Sequence, residues 1–161
     1  MSQGAGPVRE QRRARRIAMT PDEVDAFLAA ERTCRVATVG ADGRPHVVPL
    51  WFAWDGRALW LTSLVRSQRW TDLTRDPRVG VVVDTGDTYG ELRGVEISGT
   101  ATPVGDVPRG NADVPELAEP ERLFARKYAG VDTYTPDGRH AWLQVVPEKI
   151  VSWDFRKIPG S

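Results

Sequence analysis

Two Asp-Gly pairs constrain the local topology of this chain more than any other feature. Asp42-Gly43 separates the run CRVATVG (34–40) from RPHVVPLWFAW (44–54), and Asp55-Gly56 separates that run from RALWLTS (57–63). Asp-Gly between β-prone runs is a hairpin signal, because the tight turns that match strand twist need positive φ. The spacing predicts a three-stranded antiparallel meander. Pro45 and Pro49 fall inside its long middle strand. Proline donates no ladder hydrogen bond, so that strand must have an edge, a bulge or a ligand beside Pro49.

The rest of the chain continues the pattern. RVGVVVDT (78–85), LRGVEISGTATPV (92–104), HAWLQVVP (140–147) and KIVSWDF (149–155) read as strands, with Gly94 and Gly99 interrupting the second. Thr20-Pro21-Asp22-Glu23 is a capping box with proline at the first helical position. It opens a helix to about Arg32 whose Val24, Phe27 and Leu28 form one buried stripe. A second helix, Gln68–Asp76, follows the N-cap candidate Ser67, with Trp70 and Leu73 facing the sheet. A third runs over 120–130, with Leu123, Phe124 and Tyr128 on one stripe and Gly130 as its cap. Residues 105–119 are a Pro-, Gly- and Asp-rich loop. The expected class is mainly β (α+β), an antiparallel barrel of six to seven strands with two to three helices.

The chain has 161 residues, enough for one domain with a sizeable core. The formal net charge is zero, which excludes a general nucleic-acid or membrane binder. Five arginines and one glutamate fall in the first 20 residues, so 1–18 is expected to be a basic flexible arm and 19–161 the folded domain. Cys34 is the single cysteine, so no disulfide framework or cysteine zinc site is expected, in keeping with a cytoplasmic location. No metal site is expected elsewhere. No segment is apolar and long enough to span a membrane, and the N-terminus has no apolar signal-peptide core.

TSLVRSQRWTDLTRDPRV (62–79) carries four arginines around the second helix. Arg75 and Arg78 lie at or past its C-terminus, where the helix dipole favours cations. Arg66 and Arg69 lie at its N-terminus, where a cation is disfavoured by roughly 0.3–1 kcal/mol. They are either a solvated face or an anion clamp. In the clamp, free backbone N–H groups, the Ser67 hydroxyl and two guanidinium forks meet one phosphate or carboxylate.

Taken together, ADGRPHVVPLWF, a third strand ending in LTS, the arginine-bearing loop before RDPRVGVVVD, VEISGTATPV and the terminal VVPEKIVSWDF form an ordered set over about 20–157. This set resembles the flavin/deazaflavin oxidoreductases of the pyridoxamine 5′-phosphate oxidase-like split β-barrel class. The resemblance implies a split β-barrel homodimer with cofactor sites at the subunit interface. It implies that Thr62, Ser63, Arg66, Ser67 and Arg69 match the phosphate-binding segment. His46, Val47, Val48, Pro49, Leu50 and Trp51 match the strand that faces the cofactor ring. His46 is a ligand contact or a polar strand-start residue, and Trp51 covers the ring or belongs to the core. Trp153 reaches the partner's site or stays local, and His140 is read as surface.

The resemblance leaves two cofactors, coenzyme F420 and FMN. Arginine outnumbers lysine 19 to 3, which fits a GC-rich, actinobacterial type of genome, where the deazaflavin is common. The chain also lacks the substrate-binding extensions of true pyridoxamine phosphate oxidases. F420 is therefore preferred, with hydride transfer to a small conjugated organic acceptor. The alternatives are an FMN-binding oxidoreductase and a non-catalytic flavin or deazaflavin carrier. No catalytic dyad or triad is expected, because the cofactor carries the chemistry. Loops 86–91 and 105–119 are expected to shape the acceptor pocket.

Overall fold

A computed structural model describes residues 6–160; residues 1–5, the start of the expected arm, and Ser161 lie outside them. Among the described residues there are seven strands: β1 (Cys34–Val39), β2 (Pro45–Leu50), β3 (Phe52–Trp54), β4 (Leu59–Leu64), β5 (Arg78–Thr85), β6 (Arg93–Val104) and β7 (His140–Asp154). Three α-helices accompany them: α1 (Pro21–Ala30), α2 (Gln68–Arg75) and α3 (Ala118–Ala129). The strands form one antiparallel sheet in the order β2-β1-β5-β6-β7-β4-β3.

That order dictates the shape. β2 and β3 are the two edges of the sheet, yet only Trp51 separates them in the chain. One residue spans about 3.3–3.6 Å, so the sheet must curl until its edges meet at Trp51. The result is a split β-barrel of the expected α+β class.

Two strand expectations are corrected. The run 44–54 is not one strand but two, on opposite edges. Pro49 pairs with Arg35 on the edge strand β2, where the absent N–H breaks no inner ladder. After Trp51, the Phe52 N–H is taken by the Tyr128 hydroxyl of α3 at 3.0 Å. Conversely, 140–147 and 149–155 are a single strand, β7. Pro147 is absorbed by a register shift between Ser98 and Gly99. Gly99 is required there, since a Cβ would come within 2.2 Å of the Val146 carbonyl oxygen.

Capping follows the sequence. Thr20 Oγ1 accepts from the Glu23 N–H at 3.2 Å and Glu23 Oε2 accepts from the Thr20 N–H at 2.7 Å. α3 ends on Gly130 at φ 69°, a left-handed conformation that glycine adopts without a Cβ penalty. Val24, Phe27 and Leu28 of α1 close one barrel mouth over Val36, Phe52, Leu61, Val95 and Ile97. Full burial of each such side chain contributes about 1.5–3 kcal/mol.

A second core lies outside the barrel wall, where Trp60 and Trp142 pack under Leu117, Leu123 and Phe124. Arg109 holds the loop that covers it, donating to Glu121 at 2.7 Å, to Asp106 at 2.9 Å and to the carbonyls of Gly110 and Ala112. Beyond residue 5, the arm follows β7. The Arg9 N–H bonds the Glu148 carbonyl at 2.8 Å, and the Gln11 side chain bonds both backbone groups of Ser152. No helix among the described residues is long and apolar enough to cross a membrane.

Candidate functional site

β4 carries candidate residues on both of its faces. Alternation sends Thr62 and Leu64 outward beside their β7 partners Trp142 and His140, and sends Ser63 inward beside Ala141. The strand ends at Leu64, and α2 begins at Gln68.

On the inner side, Ser67 caps α2, its hydroxyl accepting from the Trp70 N–H at 3.2 Å. Arg69, in the first turn, is only 6% exposed. Its Nε donates to Ser63 Oγ at 3.1 Å, and that hydroxyl lies 3.5 Å from Ser67 Oγ. Among the described residues no carboxylate forms an ion pair with Arg69, and its Nη groups meet no protein acceptor. Burial lowers its pKa, the direction expected of a desolvated cation. A buried, uncompensated charge costs several kcal/mol, and here it stands at the positive end of a helix.

Arg66 is exposed and, with Ser67, Leu64, Val65, Pro108 and Arg139, lines a cavity of about 490 Å³. Arg69 is not part of that lining, so the two arginines do not share one cavity. Arg75 and Arg78 behave as the dipole argument expects. Arg75 bonds the Val39 carbonyl and pairs with Asp72 at 3.6 Å, and Arg78 pairs with Asp76 at 2.6 Å.

On the outer side, Pro49, Leu50, Trp51, Thr62, Phe124 and His140 line a cleft of about 410 Å³. Its aromatic wall is built from the seam of the barrel and α3. Trp51 stacks on Tyr128 with ring centroids 4.3 Å apart and an interplanar angle of 9°, while Phe124 lies tilted at 6.3 Å from Trp51. Tyr128 is fixed in turn, since its hydroxyl lies 2.7 Å from the Arg32 carbonyl and 3.0 Å from that of Phe52. Burial raises the Tyr128 pKa to about 12. Beside it, Lys127 donates to the Leu28 carbonyl at 2.9 Å, and burial lowers its pKa to about 8.

Opposite the aromatics, Thr62 Oγ1 is buried without a well-formed hydrogen bond. The nearby Tyr134 hydroxyl interacts with it loosely, enough only to offset part of the rise that burial causes in the Tyr134 pKa.

Several expected site residues lie elsewhere. His46 pairs with Thr38 on the inner face and acts electrostatically on Asp72 under α2. Val47 is 60% exposed on the outer sheet face, and Val48 faces inward opposite Val36. Trp153 lies at the far end of β7 from His140, over Gly94, where a Cβ would come within 2.2 Å of its ring. Loop 86–91 is at that far end too, with Tyr89 against Phe155, whereas Pro108 of loop 105–119 borders the Arg66 cavity.

Sequence reasoning missed His140, Phe124 and Tyr128 as cleft residues. His140 is not a plain surface residue. It lines the cleft and pairs through Nδ1 with Asp137 Oδ2 at 2.6 Å. The signal was the spacing Asp137-Gly-Arg-His140, an acidic turn residue three before a strand-start histidine.

Comparison with known proteins agrees with this architecture. The family described as pyridoxamine 5′-phosphate oxidase matches residues 20–154. The structure of a conserved hypothetical protein from Mycobacterium tuberculosis is 33% identical, with a TM-score of 0.76 and 92% of each chain covered. A structure described as an F420 reductase is 24% identical, with a TM-score of 0.57, covering 78% of this chain and 94% of its own. An FAD-binding protein from Mesorhizobium loti is 20% identical, with a TM-score of 0.63, covering 84% and 93%. The last two show likeness of fold. Comparison with curated proteins gave no match.

Proposed function

The chain belongs to the pyridoxamine 5′-phosphate oxidase family, and from that premise we propose that it is an oxidoreductase using a phosphate-bearing flavin-type cofactor. Coenzyme F420 is the preferred cofactor and FMN the alternative. The observation that carries this reading is Arg69, a buried cation with no acidic partner among the described residues, beside the Ser67-capped start of α2. A phosphate there turns the cost of the isolated charge into a charge-assisted contact, with Ser63, Ser67 and the first N–H groups of α2 as further donors. Arg66 lies exposed on the solvent side of the same helix start.

The planar ring belongs in the cleft on the outer side of β4. Trp51, stacked on Tyr128, offers a flat apolar face, and the His140 ring lines the same cleft. Such a cofactor supplies hydride transfer to or from a conjugated organic acceptor. The protein's part is to fix the phosphate, hold the ring against the aromatic wall and exclude water from one side of it. The preference for F420 rests on the arginine-rich composition and on the arm. There Arg9, Arg12, Arg13 and Lys149, with Glu10 and Glu96 among them, line a cavity of about 690 Å³ whose excess of cations favours an oligoglutamate tail.

The same reading includes a homodimer. Val47, Ala37, Gly80 and Val82 form a small apolar patch on the outer sheet face beside the Arg35–Asp84 ion pair, with Val47 60% exposed. A second copy covering this patch could bring its Trp153, which lies over Gly94, toward the first copy's β2 edge. The species in solution should then have about twice the 17.9 kDa chain mass by sedimentation equilibrium.

The test is a titration of the intact protein with FMN and with F420, followed by mixing of the reduced complex with a panel of conjugated acceptors. Saturable micromolar binding and acceptor-dependent reoxidation support the oxidoreductase. Binding without reoxidation leaves a carrier, and binding of neither cofactor overturns the reading.

A further inference from the structure

The cleft contains a polar pair that the phosphate argument does not use. Asp137 Oδ1 accepts the backbone N–H groups of Arg139 and His140 at 2.9 and 3.0 Å, and its Oδ2 lies 2.6 Å from His140 Nδ1. Burial pushes the Asp137 carboxyl up, but those N–H groups and the His140 ring outweigh it and hold the pKa at about 2. An ionised carboxylate only accepts hydrogen bonds, so Nδ1 must carry the proton of that contact. In the neutral imidazole the lone pair is then on Nε2, and no protein group among the described residues donates to it.

The register places His140 beside Thr62 in the cleft wall. Leu64 pairs with His140 and Thr62 with Trp142, so Thr62 and His140 emerge on one face as diagonal neighbours, about 7–8 Å apart in such ladders. One wall of the cleft therefore offers an imidazole acceptor, with the buried Thr62 hydroxyl beneath the surface beside it. The facing wall is the Trp51–Tyr128 stack. A flat ring that carries an N–H on its edge fits this arrangement, the ring on the aromatics and that edge on His140.

We propose that His140, its tautomer fixed by Asp137, is a ligand-binding residue whose Nε2 accepts a hydrogen bond from a ring N–H of the molecule in the cleft. The ligand class is a planar heteroaromatic with an N–H on its edge. The inference rests on the cofactor reading above, since flavin and deazaflavin rings both have such an edge. It adds a residue outside the phosphate clamp and a basis for discriminating between rings.

The chain has only two histidines, His46 and His140, so nitrogen-15 histidine spectra assign cleanly with a His46→Gln variant. In the free protein His140 should show the Nδ1–H tautomer. On addition of FMN or F420 its Nε2 signal should move saturably while that of His46 stays. His140→Phe should weaken FMN binding about tenfold, and His140→Gln, which keeps a carbonyl acceptor, should recover part of the loss. Wild type should prefer FMN to N3-methyl-FMN, and His140→Phe should lose that preference. A cofactor that binds without moving the His140 signal, or a preference that survives in His140→Phe, overturns this proposal alone. If wild type binds neither FMN nor F420, the cofactor reading falls and takes this one with it. Because the ligand preference is measured within one variant, partial misfolding of that variant does not imitate it.

Discussion

Arg69 Nε donates to Ser63 Oγ across 3.1 Å, and no carboxylate among the described residues pairs with the rest of its guanidinium. Structural arginines that are 6% exposed are normally paired, because an isolated buried charge is expensive. The free protein should therefore be destabilised by this residue. Arg69→Met keeps the length and removes the charge. It should leave the free protein at least as stable as wild type, by roughly 1 kcal/mol if the site repacks, in urea unfolding. Inorganic phosphate should raise the melting temperature of wild type and not that of the variant.

Thr62→Val makes the matching case in the cleft. It replaces a buried hydroxyl without a good partner by a methyl group of the same shape. Free-protein stability should be unchanged or up to about 1 kcal/mol higher. A clear loss of stability would mean that the Tyr134 contact is stronger than its geometry indicates.

Trp51→Ala removes one half of the stack on Tyr128. Aromatic pairs contribute about 0.5–1.5 kcal/mol beyond area burial, and Trp51 is 51% exposed, so denaturation should shift only modestly. Cofactor binding should suffer more, and cofactor should quench part of the wild-type tryptophan emission that the variant lacks.

These residues also show what the sequence could reveal. The hairpins, the capping box, the Ser67 cap and the Arg75/Arg78 pairing were legible because each depends on neighbours within a few positions. The split at Trp51 was not, because it depends on Tyr128, distant in sequence, taking the Phe52 N–H. Proline at 147 suggested a strand break, while the bulge that tolerates it needs Gly99 on another strand. For the site, local dipole reasoning singled out Arg66 and Arg69 but not that one is exposed and the other buried. The cleft was half visible: Pro49, Leu50, Trp51 and Thr62 were named, whereas Phe124, Tyr128 and His140 arrive through α3 and β7 packing.

Alkaline stability follows from three buried groups. Burial raises the Cys34 thiol and the Tyr128 phenol each to about 12. Their folded pKa values exceed the unfolded ones, so both favour the fold fully below pH 9 and lose that contribution as pH rises toward 12. Lys127, lowered by burial to about 8, has the opposite sign and adds stability between pH 8 and about 10.4. Stability should hold or rise slightly from pH 8 to 9 and fall steeply above about 10.5, as read by urea midpoints. Cys34→Ala should flatten the alkaline decline relative to its own value at pH 8. In the native protein Cys34 should resist iodoacetamide at pH 8, since it is buried and protonated.

The most direct test of the central claim is calorimetric titration of wild type and Arg69→Met with FMN and F420. Binding of at least one cofactor by wild type, weakened about 10- to 150-fold in the variant, is the predicted result, matching the roughly 1.5–3 kcal/mol of a charged hydrogen bond. Equal affinity in the two proteins, or no binding to wild type at micromolar concentration, would contradict the account.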